Sequence, residues 1–313
     1  TASVVGGSYS ANWGAGLDLL DISRSVELHG VTASGNIKGG AGLRATNVGS
    51  LSDSSGSYLQ NADGGIVVTD VAGDVMLTGT TADDNDADFS GVGDGFAAMS
   101  SGGKHEWPSE GGVGGNAIGG RLTITGGSFS RTFSPETHQV RGIYVESVAG
   151  GADLFEGGKQ SLTVQNNDTQ GVALVRAGSH ALFVGGSYSF NHDTGIALTR
   201  VDGDLSLDSV VALANGGDGL LAWPDGQSTV AGQISVNNSQ FSYNAGSGFF
   251  IHEAGSTGAK IVDSQFNKNG DTNLILRYVN GVVDFDRVSA IGSQSSFGAA
   301  LHLSTSGQFH DTD

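Results

Sequence analysis

The sequence predicts an all-β fold, a right-handed parallel β-helix of about eleven coils with three short strands in each. Three observations predict it: an Asn recurs at a nearly constant interval, short runs of alternating apolar residues follow each recurrence, and the 313 residues include 53 Gly but only 3 Pro. Self-similarity at a fixed period marks a solenoid, because a unit too small to bury its own apolar face must stack on its neighbours to do so.

The recurring unit is Asn, three variable residues, Gly and an aliphatic or aromatic residue. It reads Asn12 with Gly16 and Leu17, Asn61 with Gly65 and Ile66, Asn167 with Gly171 and Val172, Asn191 with Gly195 and Ile196, Asn215 with Gly219 and Leu220, and Asn244 with Gly248 and Phe249. Looser copies begin at Asn36, Asn85 and Asn269, the last with Asn273 in place of Gly, while His138 and Gln294 replace the Asn itself. Successive anchors lie 24, 25, 24, 53, 29, 24, 24, 29, 25 and 25 residues apart, a base unit of about 24 interrupted by insertions. A single domain over 1–313 is therefore expected, with insertion loops at about 86–94, 100–120, 149–160 and 224–233. The last three are expected to leave one corner of the coil and rim one face.

Each coil supplies its strands in a set order. After the Gly, apolar residues fall at the first and third places, as in Leu17 and Leu19 or Ile196 and Leu198, the alternation of a strand rather than a helix stripe. A turn then leads to a second run such as Val75-Met76-Leu77 or Leu205-Ser206-Leu207, and a third run leads up to the next Asn, as in Ser187-Tyr188-Ser189-Phe190. The expected core includes Leu17, Leu19, Leu43, Ile66, Val68, Ile143, Val145, Leu174, Ile196, Leu198, Leu220, Phe249, Ile251, Leu274 and Leu276, with Asp18, Arg44, Thr199 and Arg277 pointing outward. The Asn residues should form an internal ladder, and Tyr9, Tyr58, Tyr188, Phe241 and Phe266 an aromatic stack beside it.

This coil pattern resembles the right-handed parallel β-helix repeat proteins: pectate-lyase-like and polygalacturonase-like enzymes, alginate epimerases, phage tailspikes, and bacterial adhesins and filament subunits. The resemblance spans essentially the whole chain and carries an architecture rather than one activity. It implies a secreted or cell-surface location. The Asp-Pro-His-Glu string of alginate epimerases and the Gly-His-Gly of polygalacturonases are both absent, so no catalytic residue carries over. The leading expectation is an extracellular structural or adhesive module, self-associating or binding a glycan; the alternative is a lyase, hydrolase or epimerase acting on an acidic glycan.

Charge narrows the partners. With 14 Lys and Arg against 32 Asp and Glu, the formal net charge is −18, which disfavours nucleic acid and anionic lipid. No apolar run is long enough to span a bilayer. Copies of the chain itself or an extracellular glycan fit better. The absence of Cys excludes disulfides and thiolate chemistry.

Two places invite a ligand. Asp83, Asp84, Asp86, Asp88 and Asp94 crowd hard oxygen ligands into one bend, which suits calcium, against the alternative of a solvated acidic turn. The second is the outward face of the strand after each Gly, where Glu146, Leu221, Trp223, Phe250, His252, Ile275 and Arg277 fall in two neighbouring rows, with Trp107 on the longest insertion above. An exposed apolar row marks an interface or a groove, and an Arg beside an aromatic could hold the carboxylate and ring of an acidic sugar. The insertions folding over this face is the rival expectation. His29, His180, His192 and His310 are expected to stand singly, as surface or turn residues.

Overall fold

The computed structural model describes residues 1–85, 93–101, 116–131, 140–158, 160–224, 229–294, 298–303 and 308–312. They form a parallel β-solenoid of about eleven turns, with no helix among them. The strands that follow each Gly build an eleven-stranded sheet, called here the first sheet, running from Leu17–Leu20 through Ile196–Val201 to Ala299–Leu303. The next run of each coil builds the second sheet, from Ala2–Val5 to Gln308–Thr312, which counts thirteen strands once Leu162–Thr163, a later run paired with the end of Arg121–Ser128, is included. The third run is reduced to Val211–Leu213 paired with Gln240–Ser242, continued in other coils by single bridges such as Ser8 to Thr32 to Ser57. All named pairings between strands are parallel and join one coil to the next.

The predicted core holds. All the named apolar positions are buried except Leu17, which is half-buried in the first complete coil and packs against the core from one side. Fully burying one such Leu, Ile or Phe is worth about 1.5–3 kcal/mol, which is why a unit this short folds only as part of a stack. Thr199 departs from expectation: it lies on the outward row yet is fully buried. The outward side of the first sheet is closed over in the middle of the rod, where Ala97, Tyr144, Ala173 and Val175 form a second, smaller apolar cluster.

The corner before the first sheet is where the repeat is held together. Asn61 donates from its backbone N and its Nδ2 to Asn85 Oδ1, both at 3.1 Å, and its Nδ2 also donates to Ala33 O at 3.1 Å. The same three bonds recur from Asn191 to Asn215 and from Asn215 to Asn244, so each buried amide spans to the next coil and also reaches back to a carbonyl of the preceding one. The ladder ends at Asn269. Gln294 follows where another Asn would stand, and Asn269 donates instead to Asn273 Oδ1 four residues on, at 3.1 and 2.9 Å. Asn273 stands where other coils have Gly, so this departure from the repeat supplies the acceptor that the next coil lacks. Phe241 and Phe266 stack beside the ladder with centroids 5.6 Å apart and planes 4° from parallel.

One insertion is placed differently from expectation. Gly151–Phe155, inside the presumed loop at 149–160, is a regular strand of the second sheet, and the extra residues follow it, where Gly157 and Gln160 close a small antiparallel bridge. That excursion leaves the corner after the second sheet, whereas those after Met99 and Ala222 leave the corner between the first and second sheets. The three loops therefore do not rim one face. The coil can be widened at any corner, because each strand pairs only with its equivalents above and below.

Candidate functional site

The outward rows of the first sheet divide into a closed and an open stretch. Strand pairing aligns Leu198, Ala222, Ile251 and Leu276 in successive coils, which puts Thr199, Trp223, His252 and Arg277 in one outward row. Leu221, Phe250 and Ile275 form the row beside it. Trp223 stacks on His252 with ring centroids 4.6 Å apart and planes 19° from parallel. Phe250 meets Trp223 edge-on at 5.9 Å, the Arg277 guanidinium lies 5.2 Å from the centre of the Phe250 ring, and Tyr278 approaches His252 at 6.3 Å. Trp223 remains 44% exposed and Tyr278 43%, so this is an open aromatic platform across three coils.

Two polar atoms under the platform are left over. Thr199 Oγ1 and His252 Nδ1 flank Trp223 in the same row, and both are buried without a hydrogen-bond partner. Glu253 Oε1 lies 4.0 Å from His252 Nδ1, too far for a bond. Buried polar atoms are nearly always satisfied, so two such atoms around one indole distinguish this place from the rest of the face.

The other proposed members of the face are more covered than expected, and one lies on its closed stretch. Glu146 is buried on the closed stretch, where its Oε2 accepts from Ser100 N at 2.6 Å and Ser100 Oγ at 2.9 Å, and it ties down the start of the longest insertion. Ile275, expected to be exposed, is only 5% so, and Leu221 and Phe250 are half-buried. Trp107 lies outside the described residues.

In the acidic bend, Asp83 and Asp94 are engaged by hydrogen bonds from neighbouring strands and corners. Asp83 Oδ1 accepts from Ser130 N at 2.7 Å and Ser128 Oγ at 2.9 Å, and burial pushes its carboxyl up to about 6. Asp94 is fully buried; its Oδ1 accepts from Arg141 N at 3.1 Å, and the Arg141 guanidinium lies 3.8 Å from its Oδ2. Asp84 is buried as well, and Asp86 and Asp88 lie outside the described residues. Among the described residues no group of three or more His, Asp or Glu side chains is placed to hold a metal ion.

One histidine expected to stand singly does not. On the second sheet, His180 Nε2 is hydrogen-bonded to Asp153 Oδ1 at 2.8 Å, and its Nδ1 to Ser179 Oγ at 2.8 Å. Arg121 Nε lies 3.2 Å from the other Asp153 oxygen. The order of groups is that of a nucleophile, base and acid. The Arg121 ion pair, however, offsets the carboxylate charge that would stabilise an imidazolium, and the chain of contacts spans three coils as a polar surface ladder. The signal was present in the sequence only as register: placing the extra residues after Phe155 rather than before it sets Asp153 opposite Leu182, with His180 two residues away on the same side of the next strand.

Near the same corner as the Asn ladder, Asp218 is raised to about 6, chiefly by burial and secondarily by the charges of Asp193 and Asp271, against a bond from Ser247 N at 2.5 Å that lowers it. A folded value above the unfolded one means that folding favours the protonated acid. Stability should then fall as pH rises from about 4 to about 6 and stay lower above that. Asp218→Asn keeps an acceptor for Ser247 N and removes the charge. It is expected to gain about 1–2 kcal/mol over the native chain at pH 7 and nothing at pH 3.5, by denaturant unfolding at both values.

No helix among the described residues is long and apolar enough to cross a membrane. In comparisons with protein-family models, with curated proteins and with solved structures, nothing matches this chain.

Proposed function

We propose that the chain is an extracellular adhesive module that holds an acidic sugar of a surface glycan on the Trp223 platform. The observation that carries this reading is the Trp223–His252 stack, with Arg277 and Tyr278 beside it, standing open on three consecutive coils. A sugar ring presents apolar C–H faces that pack on an indole, and Trp223 is 44% exposed to receive one. The guanidinium of Arg277 can take a carboxylate through two parallel bonds. On a chain of net charge −18, a lone cation of this kind selects one acid group rather than a polyanion. The resemblance of the coil pattern to surface β-helix proteins supports the reading by fold analogy alone.

Binding of oligosaccharides that carry a single uronate residue, and of their neutral counterparts, tests it by calorimetry. Trp223→Ala is expected to weaken binding of the uronate-bearing oligosaccharide about tenfold or more, and Arg277→Ala to abolish the preference for the acid over the neutral sugar. If Phe250→Asp instead disperses an assembly seen by ultracentrifugation while Trp223→Ala leaves sugar binding untouched, the platform joins copies of the chain and the glycan reading fails. Release of shortened oligosaccharides by the native chain would favour the enzymatic alternative.

A further inference from the structure

A second row of exposed side chains runs along a different edge of the rod. Trp13, Ile37, Phe190, Tyr243 and Ile291 are exposed large apolar residues at or beside the Asn corner, outside the ladder. Two of them occupy a costly backbone position. The residue before each ladder Asn has a left-handed backbone, and most coils put a small or polar residue there: Ala11, Gly35, Gln60, Asp84, Asn166, Ala214 and Lys268. Phe190 and Tyr243 adopt the same conformation at φ 60° and 61°. A bulky side chain is disfavoured at such a φ, and residues held there against preference point to a role.

Each of these rings borders a shallow cleft. That beside Phe190 has a volume of ≈480 Å³ and is lined also by Asn166, His192, Ala214 and the ion-paired Arg131 and Asp168. That beside Tyr243 has a volume of ≈240 Å³ and is lined by Gln240, Gln265, Asn267, Lys268 and Ile291. Lys268 Nζ donates to Tyr243 Oη at 3.2 Å and lies 5.2 Å from its ring centre, which steadies the phenol. The ladder steps from Asn191 to Asn215 to Asn244 place Phe190 and Tyr243 two coils apart, roughly 10 Å along the rod axis. That is the length of the disaccharide repeat in an extended β-1,4-linked chain.

We infer that this edge binds a neutral β-1,4-linked polysaccharide laid along the rod, with sugar rings packed on Phe190 and Tyr243 and hydroxyls taken by the amides of the two clefts. Flat aromatic faces with a few placed polar groups are what a saccharide site requires. The net charge of −18 selects a neutral chain over a polyanion. The site shares no residue with the Trp223 platform and does not depend on it.

The test measures binding of β-1,4-linked di- and hexasaccharides of glucose, mannose and xylose by calorimetry on the full chain. At least one hexasaccharide is expected to bind about tenfold or more tighter than its disaccharide, since only the longer chain reaches both rings. Phe190→Gly and Tyr243→Gly should each weaken hexasaccharide binding about tenfold, with an unchanged or higher Tm because Gly is at ease at this φ. Phe190→Asn, the residue found naturally at 166, repeats the test with a side chain that tolerates the conformation. Trp223→Ala should leave this binding intact, which separates the two faces. No hexasaccharide binding by the native chain, or undiminished binding by both glycine variants, overturns the inference. So does a dimer in ultracentrifugation that the glycine variants disperse, which would assign the edge to a second copy.

Discussion

Asn215→Leu is expected to lower folding stability by about 4 kcal/mol, because the substitution keeps the volume and removes the joints of three coils. Asn215 Oδ1 accepts from Asn191 N at 3.0 Å and Asn191 Nδ2 at 3.1 Å, and its own Nδ2 donates to Asn244 Oδ1 at 2.9 Å and Tyr188 O at 3.1 Å. Leucine leaves Asn191 N and Tyr188 O buried without these partners, and each orphaned group costs about 1–3 kcal/mol. Denaturant unfolding measures the total. Hydrogen exchange should show the loss concentrated in the coils of Asn191 and Asn244, since a solenoid transmits stability between neighbours. A loss below about 1 kcal/mol would mean that the apolar core alone holds the coils in register.

Gly219→Ala is expected to cost about 3 kcal/mol for the opposite reason, too much matter in a closed space. A Cβ there would lie 2.5 Å from Gly248 O, 2.8 Å from Asn244 Nδ2 and 3.3 Å from Phe241 Cδ1. The first of these is backbone in the next coil, so relief requires the coils to part and the ladder beside them to stretch. Gly14→Ala, where a Cβ meets nothing within 4 Å, is the control and should be near neutral by the same unfolding measurement. If Gly219→Ala were equally neutral, the stack would be looser at this corner than its hydrogen bonds imply.

These variants show why the repeat was so legible. The Asn must reach one coil onward, and the Gly must let the neighbouring carbonyl approach, so both demands recur at every turn and print a period on the sequence. Alternation of apolar residues is legible for the same reason, since inward positions such as Ile196 and Leu198 meet equivalents in the coils above and below. Trp223, His252 and Arg277 could be aligned from the period alone, and the pairing puts them in one row.

What the period could not reveal is what lies on top of the outward faces. Glu146 and Trp223 occupy equivalent places in the repeat, yet one is sealed against Ser100 and the other stands open. Side-chain direction is set locally by the strand, whereas cover is set by segments distant in sequence that obey no period. The same limit hid the Asp153–His180 contact, which depends on the side of a strand from which the extra residues leave. It also hid Asn273, whose value as an acceptor appears only because the following coil has no Asn to offer. By itself the sequence determined the coil, its core and the rungs of its ladder, because those are nearest-neighbour requirements repeated at every turn. The tertiary structure alone decided which faces stay open to a partner, because exposure depends on everything that folds back over a coil and not on the coil itself.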